Sequence, residues 1–161
     1  VGPGATVRCP ALGKCRAPNY TNKENHMPVF KDAEQMYDCI GAVLDFLRQD
    51  EKASAAFRKS GLIIRFKYSD PDGEITIDGS QDPISLTCGP CDRKPIVDMT
   101  MSADTAHQFW LGKLNLVAAL NRGAMTAKGP IPSIMKLLPA ITPAYKQHPE
   151  ILRAKGLEHL I

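Results

Sequence analysis

The sequence predicts an α+β fold in which two helices precede four β-strands, and two short helices, a fifth strand and C-terminal helical segments follow. Three observations predict this order: helical spacing of apolar residues from Asp32, alternation of apolar and polar residues in the middle of the chain, and amphipathic segments after Ser102. At 161 residues and 43% hydrophobic, the chain has the size of one domain with its own core. We expect an irregular arm over residues 1–30 and a folded domain over residues 31–161.

The first helix is predicted over residues 32–50, where apolar residues recur every three or four positions. Asp32, followed three positions later by Gln35, is typical of a helix start. A second helix is predicted over residues 51–59. It should end near Gly61, because glycine tolerates the left-handed conformation that closes many helices.

The middle of the chain changes to a period of two, which indicates strands with one buried face. The first strand reads LIIRFKY over residues 62–68, and the turn SDPDG separates it from EITID over residues 74–78. Residues 84–88 and 96–101 continue the pattern, so we expect four successive strands joined as an antiparallel meander. The segment AMTAKG, residues 124–129, is a weaker fifth strand.

The remaining segments are predicted to be helical. Ser102 caps a helix over residues 103–113, and Asn115 caps a second over residues 116–122. In the last 32 residues of the sequence, Pro139 and Pro143 are expected to divide an apolar stretch into short helices, because proline removes a helical hydrogen bond.

The stretch SLTCGPC contains the Cys-Gly-Pro-Cys spacing of thioredoxin-type oxidoreductases. In such sites the first cysteine begins a helix whose free N–H groups stabilise the thiolate. Here Pro95 and β-branched residues follow Cys91, which favours a loop leading into a strand. A thiol-redox site at Cys88 and Cys91 stays open as an alternative. So does a zinc site in which Cys9 and Cys15 join that pair.

Charge and hydropathy exclude several classes of protein. A net charge of +3 and a pI near 8.6 are too mild for nucleic-acid binding by charge, although they favour transient contact with anionic membrane surfaces. Apolar runs fall short of the roughly 20 residues that span a bilayer, and the sequence begins without the apolar segment of a signal peptide. Five cysteines in a chain with a sufficient core suit a reducing compartment, so we expect a cytoplasmic protein.

Residue types that carry catalysis are scattered. The aspartates at positions 70, 72, 78 and 82 lie in hairpin turns, where their side chains favour the turn itself. The histidines are expected at separate surface or helix-end positions, without a relay or a metal site: His26, His107, His148 and His159. We therefore expect no enzyme activity, no metal and no cofactor.

One long stretch resembles a known family. Residues 97–138 read VDMTMSADTAHQFWLGKLNLVAALNRGAMTAKGPIPSIMKLL. This stretch contains, in order, a strand ending in serine, a short helix, Gly-Lys-Leu-Asn at residues 112–115, a second short helix and a lysine-containing strand ending at Gly129. In this order they are similar to the sterol carrier protein type 2 lipid-binding domains. The resemblance extends upstream to about Asp32.

The resemblance implies a five-stranded, mainly antiparallel sheet covered on one face by helices, with an apolar tunnel between the layers. It also implies non-catalytic binding or transfer of a lipid such as a fatty acid, acyl-CoA, phospholipid or sterol. An accessory domain for a partner enzyme is a further alternative, and the oligomeric state is undetermined. Fifteen side chains are expected to contact the lipid: Met36, Ile40, Leu44, Leu47, Ile64, Phe66, Ile75, Met99, Phe109, Trp110, Leu114, Leu120, Ile134, Leu137 and Leu138. Three lysines are candidates for contact with a polar headgroup: Lys113, Lys128 and Lys136.

Overall fold

The first helix is interrupted by a π-helical turn. The structure, a computed structural model, describes residues 27–161. Helix α1 (Ala33–Met36) passes through the π turn (Tyr37–Gly41) into α2 (Ala42–Gln49). Asp32 caps α1 by accepting a hydrogen bond from the Gln35 backbone N–H at 2.8 Å, as the sequence predicts. At Gly41 a β-carbon would lie 3.3 Å from the Cys88 sulfur, so glycine lets this helix approach the sheet closely.

The predicted second helix and the five predicted strands are present. Helix α3 (Glu51–Ser60) ends at Gly61, whose φ of 62° is left-handed. The strands are β1 (Ile63–Ser69), β2 (Gly73–Asp78), β3 (Ser85–Cys88), β4 (Val97–Ser102) and β5 (Met125–Lys128). They form one sheet in the order β3-β2-β1-β4-β5. Three of its four strand pairs are antiparallel, which confirms the mainly antiparallel sheet.

The predicted meander is wrong at β4. This strand lies beside β1 and parallel to it, with Phe66 opposite Met99, instead of antiparallel to β3. Residues 89–96 cross from one edge of the sheet over β2 and β1, a width of three strand spacings of about 4.8 Å. The alternating pattern could not reveal this, because it specifies which face of a strand is buried but not which strand lies beside it.

The prolines do not divide the C-terminal helical region, contrary to prediction. Helices α4 (Ala103–Trp110) and α5 (Leu116–Asn121) are followed, after β5, by α6 (Ile131–Ala154), a 24-residue helix that contains Pro139, Pro143 and Pro149. Pro139 and Pro143 are exposed, so the carbonyl groups they leave without a helical partner can bond to water. A short 3-10 turn (Glu158–Leu160) ends the described chain.

The helices cover one face of the sheet. Ile64 and Phe66 of β1 point toward them, whereas Arg65 and Lys67 point to the opposite face, where Asp98 of β4 pairs with both cations. Helix α6 packs against α2, α3 and α4. None of the helices over residues 27–161 is long and apolar enough to cross a membrane.

Candidate functional site

An apolar cavity lies between the sheet and the helices. Its volume is about 50 Å³. All of its walls are aliphatic, thioether or aromatic side chains, apart from the hydroxyl of one tyrosine and the indole N–H of one tryptophan. The lining residues are Leu44, Phe57, Ile64, Phe66, Tyr68, Met99, Met101, Phe109, Trp110, Leu116, Met125, Ile134, Leu137, Leu138 and Ile141.

The parallel pairing of β1 with β4 forms the floor of the cavity. The period of two places Phe66 and Tyr68 on the helix-facing side of β1. The register then sets Met99 opposite Phe66 and Met101 opposite Tyr68, so two thioethers lie beside two aromatic rings. Methionine is flexible and polarizable, so this part of the wall can change its shape more readily than a branched side chain could.

Helix α4 brings two aromatic rings to the cavity. Ser102 caps the helix by accepting from the Thr105 backbone N–H at 3.1 Å. Phe109 and Trp110 follow at its end, and both meet Tyr145 of α6, with ring centroids 5.6 and 6.3 Å apart. These rings close the seam between α4 and α6 at one side of the cavity.

The cavity holds no charge at neutral pH. Burial raises the pKa of Tyr68, and the neighbouring Cys88 and Tyr37 raise it further, so the phenol stays protonated. Burial likewise raises the pKa of Tyr145 at the seam. Among the described residues that line the cavity, the protonated phenol of Tyr68 is the only titratable group, and no carboxylate, imidazole or amine is present.

Nine of the fifteen predicted contact residues line the cavity: Leu44, Ile64, Phe66, Met99, Phe109, Trp110, Ile134, Leu137 and Leu138. Met36, Ile40, Leu47 and Ile75 are fully buried in the core outside its walls. Leu114 and Leu120 are partly buried and pack against that core. A helical face that is apolar along its whole length does not reveal which turn of the helix meets a cavity.

Six lining residues were absent from the prediction: Phe57, Tyr68, Met101, Leu116, Met125 and Ile141. The signal for two of them was present in the sequence. Tyr68 continues the alternation of Ile64 and Phe66, and Met101 continues that of Met99. Met125 lies in the weakly patterned β5, and its contribution follows from the pairing of β5 with β4.

Cys88 and Cys91 relate to opposite faces of the sheet. Cys88 is in register with Ile75 and Phe66 on the helix-facing side, close to Gly41. Cys91 belongs to the crossing segment, on the side of Arg65. The pKa of Arg65 is raised mainly by the hydrogen bond from Arg65 to Asp98, and Cys91 adds a smaller contribution. Neither cysteine forms a disulfide, and no group of three metal-binding side chains occurs, in the described part of the chain. Cys9 and Cys15, required for the zinc hypothesis, lie outside the described residues.

The crossing segment covers the opposite face. Arg93 lies 3.1 Å from the carboxylate of Asp78, which is 1% exposed. Asp78 is opposite Ile63, so it points away from the cavity. The Cys-Gly-Pro-Cys stretch is therefore the start of a connection across the sheet, as the loop interpretation expected, although not a turn between neighbouring strands.

The expectation of separate, surface or helix-end histidines is wrong for two of them. His107 and His148 are buried, and Nδ1 of His107 lies 2.9 Å from Nε2 of His148. The sequence separates them by 41 positions, so only the packing of α4 on α6 reveals the pair. His159 is exposed, and His26 lies outside the described residues.

The three candidate headgroup lysines, Lys113, Lys128 and Lys136, are all exposed. Of the predicted arm, residues 1–26 lie outside the described residues. Phe30 packs in the core, and the backbone N–H of Val29 donates to Asp104 at 2.9 Å. The end of the arm is thus attached to the start of α4.

Comparison with known proteins identifies similar sequences and folds. The SCP-2 sterol transfer family matches residues 43–141. No curated protein matches the sequence. The sterol carrier protein domain 2 of Helicoverpa armigera is similar, with a TM-score of 0.57, 21% identity and coverage of 71% of this chain and 90% of that one. Sterol carrier protein 2 from Yarrowia lipolytica has a TM-score of 0.54 and 19% identity, covering 70% of this chain and 91% of that one.

Proposed function

The chain belongs to the SCP-2 sterol transfer family, and on that premise we propose that it binds and transfers a lipid without catalysing a reaction. The apolar body of the lipid lies in the cavity between the sheet and the helices. A fatty acid, acyl-CoA, phospholipid or sterol meets this description. The observation that carries the proposal is the composition of the wall, whose described residues are aliphatic, thioether and aromatic side chains without a charged group.

Burial of methylene groups provides the binding free energy. Each buried methylene contributes roughly 0.8 kcal/mol, so a long chain needs no directed polar contact along its length. Selection among lipids then depends on the length and width of the apolar body. Of the predicted contacts, the nine lining residues meet the lipid directly, and the six others support the wall from the core.

The cavity must widen to accept a lipid. Its volume of about 50 Å³ is well below the roughly 300–1,000 Å³ typical of ligand pockets. Helix α6 is the element that moves, because Ile134, Leu137 and Ile141 form one wall and Pro139 interrupts the hydrogen bonding of this half of the helix. Met99, Met101 and Met125 then adjust to the guest.

Exposed lysines support a role for the surface. Lys113, Lys128 and Lys136 meet the anionic part of the lipid, or the membrane from which it is collected, while the apolar part enters the cavity. The net charge of +3 favours brief contact with an anionic membrane and argues against tight attachment to it. The protein works in the cytoplasm, with residues 31–161 as the lipid-binding domain and residues 1–30 as its arm.

The decisive experiment uses Trp110, the single tryptophan of the chain and part of the cavity wall. Parinaric acid, a fluorescent fatty acid, should quench Trp110 emission by energy transfer with saturation at one molecule per chain. Unlabelled fatty acid should reverse the quenching. Native mass spectrometry of protein taken directly from cells should show a co-purified lipid. A protein that carries no lipid and leaves Trp110 emission unchanged contradicts the proposal.

A further inference from the structure

Two buried histidines join α4 to α6 beside the cavity but outside its wall. His107 of α4 is 1% exposed and His148 of α6 is fully buried. The Phe30 ring packs against the His107 ring in a T-shaped arrangement, with centroids 5.5 Å apart. The lipid-binding wall uses neither imidazole, so their burial needs a separate explanation.

The hydrogen bonds assign the proton on each ring. His107 Nε2 lies 2.7 Å from the carbonyl oxygen of Leu160, which can only accept, so this nitrogen carries the hydrogen. His107 Nδ1 is therefore an acceptor, and the donor at 2.9 Å must be His148 Nε2. His148 Nδ1 is left as a bare acceptor, and it has no hydrogen-bond partner among residues 27–161.

This arrangement holds together only while both rings are neutral. A proton added to His148 Nδ1 creates a buried cation whose new N–H has no acceptor. A proton added to His107 Nδ1 sets two N–H groups against each other, unless His148 transfers its own hydrogen to the unpartnered nitrogen. Either way, one buried N–H loses its partner, and a second proton places two cations in contact.

The surroundings give the cation little support. Burial and, to a lesser extent, the neighbouring His107 together lower the pKa of His148 to about 4. Burial also lowers the pKa of His107, against opposing contributions from the Leu160 carbonyl and Asp104 and with a small contribution from Lys113. Asp104 accepts from the Val29 N–H, so this carboxylate is engaged elsewhere.

The pair lies on the same seam that closes the cavity. Trp110 follows His107 by about one turn of α4, and Tyr145 precedes His148 by about one turn of α6. Phe109 and Trp110 meet Tyr145 there by ring contacts. A force that separates the two histidines therefore acts directly on the rings at the edge of the cavity.

We propose that His107 and His148 form an acid-sensitive clasp, which holds α4 against α6 when neutral and opens the cavity between them when protonated. The sign follows from linkage: the clasp contributes its full stability above the pKa of an unfolded histidine, about 6.5. This contribution is lost as the pH falls from there through the lowered pKa of His148, about 4. Acidic conditions thus favour release or exchange of a bound lipid. This last consequence rests on the proposed lipid-binding function, whereas the clasp itself does not.

The test compares two single substitutions in the intact chain. His148→Gln keeps an amide N–H to donate to His107 but cannot gain a proton, and His159→Gln alters an exposed histidine as a control. Trp110 emission and uptake of the uncharged dye Nile red are followed from about pH 7 to about pH 4, with far-UV circular dichroism recorded in parallel. The parent and His159→Gln should take up several-fold more dye at acid pH before helical signal is lost. His148→Gln should show at most half of that increase.

Three results overturn the clasp: an unchanged acid response in His148→Gln, dye uptake that coincides with loss of helical signal, or no acid response in the parent. If His148→Gln does not fold, ¹⁵N NMR of the parent's imidazole rings decides the matter. Both rings should carry hydrogen on Nε2 at neutral pH and titrate below the usual histidine pKa of about 6.5. Rings that are cationic near neutral pH contradict the proposal.

The two proposals fail separately. If Trp110 responds to acid through His148 but parinaric acid never binds, the clasp stands and lipid binding fails. If parinaric acid binds at neutral pH and acid changes neither Trp110 nor its affinity, lipid binding stands and the clasp fails.

Discussion

The guanidinium of Arg65 and the carboxylate of Asp98 lie side by side on neighbouring parallel strands, with Nη2 2.6 Å from Oδ2. Lys67 adds a second cation 3.4 Å from the same oxygen. This group lies on the sheet face opposite the cavity, directly behind Phe66 and Met99 of its floor. The polar face thus joins β1 to β4 directly behind the part of the apolar face that lines the cavity.

Removal of the Asp98 charge should loosen this pairing. Asp98→Asn is expected to lower the free energy of unfolding by about 1–2 kcal/mol, because Arg65 loses a charge-assisted hydrogen bond in a half-buried site. Urea unfolding at neutral pH measures it. Glu150→Gln, which breaks the exposed pair with Arg153 on α6, is the control and should cost at most about 0.5 kcal/mol. Equal effects would contradict a special role for Asp98.

The same residue predicts a pH dependence. The hydrogen bond from Arg65, with further support from Lys67, holds the pKa of Asp98 below its usual value, against an opposing effect of burial. Its stabilisation is therefore complete above the unfolded pKa of about 3.9 and is lost as the pH falls through the folded pKa. The stability difference between the parent and Asp98→Asn should shrink in that acid range.

Cavity size should control the preference for chain length. Leu137→Ala removes a wall residue, whereas Leu47→Ala removes a core residue outside the wall, and each should cost about 2–5 kcal/mol of stability. Only Leu137→Ala is expected to favour longer acyl chains over shorter ones, by roughly fourfold for each additional methylene accommodated. Competition against parinaric acid measures this ratio. The same shift in Leu47→Ala would place the lipid elsewhere.

Gly129 should tolerate no side chain. Its φ is 126°, and a β-carbon there would collide with the carbonyl oxygen of Ile96. Gly129→Ala is expected to destabilise the protein by about 3 kcal/mol or more. Gly123 also has a left-handed backbone, with a φ of 73°, but its surroundings are open. Gly123→Ala should lower the free energy of unfolding by about 1–2 kcal/mol, from backbone strain alone. The difference between the two variants in thermal unfolding therefore measures the effect of the collision at Gly129.

Pro139 should lower the stability of α6 and make the helix easier to move. Pro139 lies on the exposed side of α6, and the opposite side of the helix faces the cavity. Pro139→Ala restores a backbone N–H and should raise the free energy of unfolding by about 1–2 kcal/mol. If α6 must move, exchange of parinaric acid should slow in the same variant. Pro132→Ala, at the start of the helix where proline is tolerated, should change neither quantity appreciably. Unchanged exchange in Pro139→Ala would indicate that another element opens.

Local patterns in the sequence accounted for most individual elements. Asp32, Ser102 and Asn115 each cap the helix that the sequence assigned to them, and Gly61 ends α3. These features depend on hydrogen bonds and backbone conformations within a few residues, so they can be read from neighbouring residues. The continuous α6 was missed because burial of its apolar side outweighs the hydrogen bonds that its prolines remove.

By itself the sequence determined which faces are apolar, where the helices and strands begin, and the family whose fold they build. The tertiary structure alone decided that β4 joins β1 in parallel, that Phe57, Leu116 and Met125 share a cavity, and that His107 reaches His148. The physical reason is the distance along the chain over which each interaction acts. Periodicity and capping are local interactions, whereas strand order and buried contacts between distant helices depend on how whole surfaces pack.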